Sequence, residues 1–176
     1  VAAGALVAWW VVRRENGDVA AMFDATAVGI PIAQAVGRLG NWFNQELFGR
    51  PTNLPWGLQI DSANRPLEYA DSPTFHPTFL YEALWNLGVA GFIAVFTPRL
   101  FPQLRKGYSW AIYIAGYTVG RLWIELLRTD KATEVFGVRI NVWTSIVVLA
   151  VAVAVVMRGL RDEPSDGHRN SSKSVP

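Results

Sequence analysis

The chain contains no cysteine, two histidines and two methionines. Without cysteine, disulfides, thiolate metal sites and a thiol nucleophile supplied by these residues are excluded. Charge is scarce too: Asp, Glu, Lys and Arg make up 17% of the 176 residues, against 51% hydrophobic. Mean hydropathy is +0.21. The apolar stretches are long enough for a ~30 Å hydrocarbon core, which defines an integral membrane protein. The period-2 alternation of a barrel strand is missing, and lipid offers backbone groups no outside partner, so each span is expected to be helical. Nothing in the residues calls for a cofactor, a metal or a nucleic acid. The sequence opens at Val1 within an apolar run, so the chain is expected to be a fragment missing its N-terminal part.

Five apolar stretches follow. Val1–Val12 is too short to span and is expected to be the tail of a truncated first helix. Val19–Phe43, Thr78–Val95, Tyr108–Leu127 and Asn141–Met157 are expected as complete spans. The expected fold is therefore an all-α polytopic transmembrane helix bundle of about four complete spans plus that truncated helix, occupying residues 1–160. The loop Gly49–Pro77, rich in Pro, Asn and Asp, suggests an ordered extracytoplasmic cap. Residues 161–176, with Ser, Pro, Asp, Gly and Lys, are expected to form a disordered cytoplasmic tail.

Basic residues set the expected orientation, because cytoplasmic loops accumulate Lys and Arg. Arg13–Arg14, the Arg99–Lys106 loop and the C-terminal segment from Arg158 onward together hold nine of the sixteen. The Gly49–Pro77 and Arg128–Arg139 loops hold five, and Arg38 and Arg121 remain within apolar segments. This places the C-terminus in the cytoplasm and both membrane arginines near the outer leaflet.

Those arginines carry the chemistry. An ionisable side chain at membrane depth costs ~2.5–3.5 kcal/mol on insertion scales, so it needs a partner, a polar cavity or a charged ligand. Gln34, Arg38 and Asn41 fall on one face of their helix, at i, i+4 and i+7. Tyr117, Arg121, Glu125 and Arg128 form a second stripe. The bland account of the second stripe is an Arg121–Glu125 ion pair that only stabilises the bundle. Gly116 and Gly120 indicate a close helix crossing. His76 at a helix start suits a hydrogen-bonding role better than proton transfer. Glu82 could neutralise an arginine, orient a catalytic group or remain protonated. Trp42, Trp56, Trp110, Trp123 and Trp143 suit an interfacial belt. Guanidinium matches phosphate through charge-assisted bidentate bonds, so an anionic phospholipid headgroup is the natural ligand.

The run Gly37-Arg38-Leu39-Gly40-Asn41-Trp42-Phe43-Asn44-Gln45-Glu46-Leu47-Phe48-Gly49-Arg50 resembles the signature of bacterial phosphatidylglycerol–prolipoprotein diacylglyceryl transferases, with Trp42 where that family commonly has Phe. His76-Pro77-Thr78-Phe79-Leu80-Tyr81-Glu82 is similar to the family's His-Pro-x-x-Leu-Tyr-Glu, and Gly120-Arg121 with Glu125 to its later Arg/Glu helix.

The resemblance implies transfer of the diacylglyceryl group of phosphatidylglycerol to the lipobox cysteine of a prolipoprotein signal peptide, in the bacterial plasma (inner) membrane. It implies Arg38 and Arg121 on the phosphate, with Glu125 among the catalytic set. Asn41, Asn44, Glu46, Gly49 and Tyr117 would shape the headgroup pocket, supported by His76, Tyr81 and Glu82. The nucleophile would belong to the substrate, in keeping with a chain free of cysteine. The family's His-Gly-Gly motif, whose His is the favoured base, would lie upstream of Val1, so these residues alone are not expected to be active. Two other classes stay open on the residues themselves. One is an anionic-lipid transporter or scramblase, which needs a polar path through the inner halves. The other is a non-catalytic scaffold, which would tolerate Arg38→Lys.

Overall fold

A computed structural model describes residues 2–128 and 134–161. The expected tail, apart from Arg161, and the middle of the Arg128–Arg139 loop lie outside the described residues. The fold is mostly helical. Helix α1 (Ala2–Arg14) turns into α2 (Val19–Arg38), which continues through a short α3 (Gly40–Asn44). The Asp18 carboxylate starts α2 by accepting from the amides of Ala20 at 2.9 Å and Ala21 at 3.1 Å. Those bonds, the Ala21 one foremost, hold its carboxyl below the usual range. Pro31 sits buried inside α2; neighbouring helices make its missing N–H tolerable at membrane depth.

After the long loop, α4 (Thr78–Gly91) passes through a π-helical turn at Phe92–Phe96 into α5 (Thr97–Leu100). Helix α6 (Ser109–Glu125) and helix α7 (Ile140–Arg161) complete the bundle. Among the described residues, three segments are long and apolar enough to cross a membrane: Val19–Asn44, Thr78–Leu100 and Ile140–Arg161. Helix α6, with 17 residues, is shorter, about 25 Å at 1.5 Å per residue. It nevertheless packs against α2, α4 and α7. The bundle core is thin and built around Ala27, Ile93 and Tyr113. Val36, Leu84, Val147 and Val151 stay exposed, as expected of faces turned to lipid.

The helices alternate in direction. Arg38 at the end of α2, Glu82 near the start of α4 and Arg121 near the end of α6 therefore reach one end of the bundle. The opposite end joins the α1–α2 turn to the loop before α6. There Lys106 Nζ lies 3.6 Å from Asp18 Oδ2, and the Asp24 carboxylate accepts from the amides of Gly107 at 2.9 Å and Ser109 at 3.3 Å. Tyr108 packs so closely on Gly159 that a Cβ there would lie 2.3 Å from its ring.

The Gly49–Pro77 loop is ordered, with a core of its own. Strands β1 (Leu58–Gln59) and β2 (Thr74–Phe75) pair antiparallel, Leu58 opposite Phe75. Phe75 and Ile60 are fully buried, and the Phe48 ring lies 4.8 Å from that of Phe75. A second hairpin, β3 (Glu134–Val135) with β4 (Val138–Arg139), leads directly into α7. Hydropathy gives no sign of it, because two residues per strand are too few to show a period.

Candidate active site

Arg38 leaves the last turn of α2 and meets a carboxylate that its own helix does not provide. Its Nη2 lies 2.5 Å from Oε2 of Glu82, on α4. The other oxygen, Oε1, lies 3.4 Å from Nη1 of Arg121, on α6. Glu82 is thus a bridge between two arginines of separate helices, one of the roles the residues left open for it. Its side chain is 6% exposed, and removing one partner from a buried ion pair costs more than the pair contributes. Arg121 then extends the chain: its Nη2 lies 3.0 Å from Oε2 of Glu125, one turn further along α6.

Glu125 is engaged on both sides. Its Oε1 lies 3.1 Å from Nε of Arg139 in β4 and accepts from Nδ2 of Asn141 at 3.1 Å. The result is an alternating line, Arg38–Glu82–Arg121–Glu125–Arg139, drawn from α2, α4, α6 and β4. The carboxylates are almost wholly buried, whereas the guanidiniums keep an edge free, with side-chain exposures of 24% for Arg38 and 19% for Arg121. Acceptors inside and donors at the rim suit an anion approaching from outside. The cavity against Glu82, Tyr117 and Arg121 is about 10 Å³, room for one water at most. A phosphate therefore has to approach the guanidiniums from their exposed edge.

Close packing fixes the depth of Arg121. A Cβ on Gly120 would lie 2.4 Å from the Trp85 indole, and that indole donates from Nε1 to the carbonyl of Gly116 at 2.8 Å. The Gly116–Gly120 pair is a close α4–α6 crossing. Gln34, on the Arg38 stripe, accepts from the Tyr113 hydroxyl at 3.1 Å, so that stripe faces the bundle.

The remaining residues of the expected pocket divide. Asn44 Nδ2 donates to Glu46 Oε1 at 3.1 Å, on the exposed rim beyond α3. Asn41 is half-buried at the start of α3. Gln45, in the left-handed region at φ 49°, ties this turn to the cap: its Oε1 accepts from the Asp61 amide at 2.8 Å and its Nε2 donates to Asp61 Oδ2 at 2.8 Å. Gly49 is buried where three chain segments meet. A Cβ there would lie 2.8 Å from the Leu127 carbonyl oxygen, so close approach leaves no room for a side chain.

His76 faces Tyr81, not the arginines. The Trp56 indole donates from Nε1 to the Tyr81 hydroxyl at 2.9 Å, and His76 Nδ1 lies 3.2 Å from the same oxygen. The assignment that satisfies all three groups has the phenol donating to Nδ1, which leaves the imidazole proton on Nε2. This is the hydrogen-bonding role expected of it. Both Glu82 oxygens carry guanidiniums, which ties its side chain to Arg38 and Arg121. Beside Tyr81, the indole nitrogen of Trp123 is buried with no hydrogen-bond partner among the described residues. It stands at one end of an apolar groove of about 800 Å³ between α4, α6 and α7, lined by Leu84, Val89, Phe92, Val119 and Leu149.

Arg139 and Asn141 have no place in the expected site, where Arg139 counts only as a loop charge. Helical spacing relates residues of one helix and carries no signal for a contact from a hairpin.

These features define a polytopic membrane protein with a buried, cross-helix arginine–carboxylate cluster at one end of its bundle. Residues 1–158 match the model of the prolipoprotein diacylglyceryl transferase family, and the chain belongs to that family. It is 51% identical over 164 residues to phosphatidylglycerol–prolipoprotein diacylglyceryl transferase 2 of Streptomyces coelicolor, covering 93% of this chain and 51% of the relative. It is 50% identical over 159 residues to the phosphatidylglycerol–prolipoprotein diacylglyceryl transferase of Frankia alni, covering 89% and 41%. With that of Bifidobacterium adolescentis it shares 49% over 160 residues, covering 85% and 48%. The chain spans about half the length of the curated relatives it matches.

Proposed function

We propose that the protein carrying this chain moves the diacylglyceryl group of phosphatidylglycerol onto the cysteine thiol of a prolipoprotein signal peptide. The observation that carries the reading is the pair of partly exposed arginines, Arg38 and Arg121, brought from different helices onto one buried carboxylate, Glu82. A phosphodiester at their rim would take charge-assisted bonds from both. The sulfur attacks the glycerol carbon that bears the phosphate. A C–S bond forms, the C–O bond breaks, and the electron pair leaves on the oxygen of glycerol phosphate. Arg38 and Arg121 stabilise that developing charge. The thiol proton goes to a base, which the family resemblance assigns to the His of the upstream His-Gly-Gly motif; His76 and Glu82 are already engaged elsewhere.

Asn41, Asn44, Glu46 and Tyr117 surround the headgroup in this reading, and Glu125 holds Arg121. The apolar groove beside Tyr81 and Trp123 suits an acyl chain, and a lipid oxygen at its head would satisfy the unpartnered Trp123 nitrogen. The reading places the protein in a bacterial plasma membrane. Helix α6 serves as the fourth span, the C-terminus is cytoplasmic and the cluster lies toward the outer leaflet. In support, Arg13, Arg14, Lys106 and Arg158 gather at the bundle end opposite the cluster. A transporter is disfavoured by the apolar layer of Ala27, Ile93 and Tyr113 between the two ends.

The test is transfer from labelled phosphatidylglycerol to a lipobox peptide by a protein joining this chain to its upstream segment. Arg38→Lys and Arg121→Lys, each still folded, should both lose transfer. Full activity in either variant would remove that arginine from the mechanism, and an inactive parent protein would overturn the reading.

A further inference from the structure

Three features meet at Glu125. Its side chain, 2% exposed, presents Oε2 to Arg121. Its Oε1 is taken by Arg139 Nε at 3.1 Å and by Asn141 Nδ2 at 3.1 Å. Its backbone carbonyl, the last of α6, accepts from Arg139 Nη1 at 3.1 Å. A terminal helix carbonyl has no partner within its helix, and a cation there also faces the negative end of the dipole. Arg139 therefore grips the main chain and the side chain of one residue at once, while Asn141 adds a neutral donor from the first turn of α7.

This grip has a consequence for Arg121. A guanidinium and a carboxylate left to themselves favour two parallel bonds. Here Arg121 gives one nitrogen to each of two carboxylates, Nη1 to Glu82 and Nη2 to Glu125. With Oε1 of Glu125 held by Arg139 and Asn141, the bond between Glu125 and Arg121 runs through Oε2. We propose that Arg139 and Asn141 are positioning residues for the phosphate site: by holding Oε1 of Glu125 they limit its hold on Arg121 and keep the remaining guanidinium donors directed at the lipid phosphate. Arg139 makes other contacts as well, and the proposal concerns only those with Glu125. It rests on the functional reading above. Released from Arg139, Glu125 closes on Arg121 with both oxygens and competes with the incoming anion.

A double-mutant cycle tests this in phosphatidylcholine nanodiscs containing graded phosphatidylglycerol, with a lipobox peptide as acceptor and thermal stability measured in parallel. Arg139→Gln should raise the apparent KM for phosphatidylglycerol about tenfold, the loss expected for one bond to a charged group, with a smaller change in kcat. Arg139→Lys should recover part of it. Asn141→Leu, which removes a single neutral donor, should shift KM in the same direction by less. In an Glu125→Gln background, Arg139→Gln should have no further effect on KM, because the group through which it acts is gone. Effects that multiply, or a fall in kcat at unchanged KM, would overturn the proposal while leaving an active parent protein and its function intact. A parent protein that neither transfers nor binds phosphatidylglycerol would overturn both.

Discussion

The two ends of the bundle use charge in opposite ways. At the end with the long loop, charged side chains meet other charged side chains across α2, α4, α6 and β4. At the other end, apart from the exposed Lys106–Asp18 pair, Asp24 directs its carboxylate to two main-chain amides, those of Gly107 and Ser109. A carboxylate on backbone amides is consumed by architecture, because those donors have no alternative position. A guanidinium with a free edge can exchange or add a partner without the helices moving. Charge at the long-loop end therefore stays available to an incoming anion, whereas the Asp24 carboxylate is committed to the main chain.

That contrast can be broken at its centre. Glu82→Ala would leave Arg38 and Arg121 facing each other without the shared carboxylate, and about 3–5 kcal/mol of stability should be lost, seen as a large fall in Tm in detergent. A small change in Tm would mean that the arginines find other partners and that the bridge is not structural. Gly120→Ala should come next. The added methyl meets Trp85, and overpacking of this kind costs about 1–3 kcal/mol; because it displaces α4 from α6, transfer should fall along with Tm. Asp24→Asn sharpens the contrast from the other end. Replacing the charged acceptor of those two amides by a neutral one should cost about 1 kcal/mol, while binding of phosphatidylglycerol stays unchanged. A loss of lipid binding in that variant would show that the two ends are coupled. The smallest effect is expected from Trp123→Phe, which removes an indole nitrogen with no partner among the described residues. Stability without lipid should hold or rise slightly, and the extra stabilisation conferred by added phosphatidylglycerol should shrink.

Hydropathy made the apolar segments legible, and their boundaries shift by only a few residues. Val19–Phe43 becomes α2 with α3, and Asn141–Met157 lengthens to Ile140–Arg161. The Arg121–Glu125 pair and the Gly116–Gly120 crossing were also legible, since both follow from spacing within one helix. The Arg38–Glu82 contact was not, because the two residues belong to helices separated by the whole cap, and spacing carries no information across such a gap. Glu82 was visible as a residue without a decided partner, and the partner came from packing. The grip of Arg139 and Asn141 on Glu125 lay further out of reach, depending on a two-residue hairpin that returns the chain to the end of α6. Gly49 shows the converse: a glycine within a run of site residues whose reason for being glycine is steric.

Gly49 also determines what kind of object the site is. Its amide donates to the His76 carbonyl at 2.8 Å, and the next amide, of Arg50, donates to the Leu127 carbonyl at 2.9 Å. One short piece of main chain thus stitches the entry to α4 and the exit from α6 to the segment that follows α3. This seam ties together the segments that flank the three helices carrying Arg38, Glu82 and Arg121. Backbone stitching is indifferent to the chemistry it carries. Side chains along the rim can be exchanged without disturbing it, whereas a methyl group added at position 49 would pull the frame itself out of true.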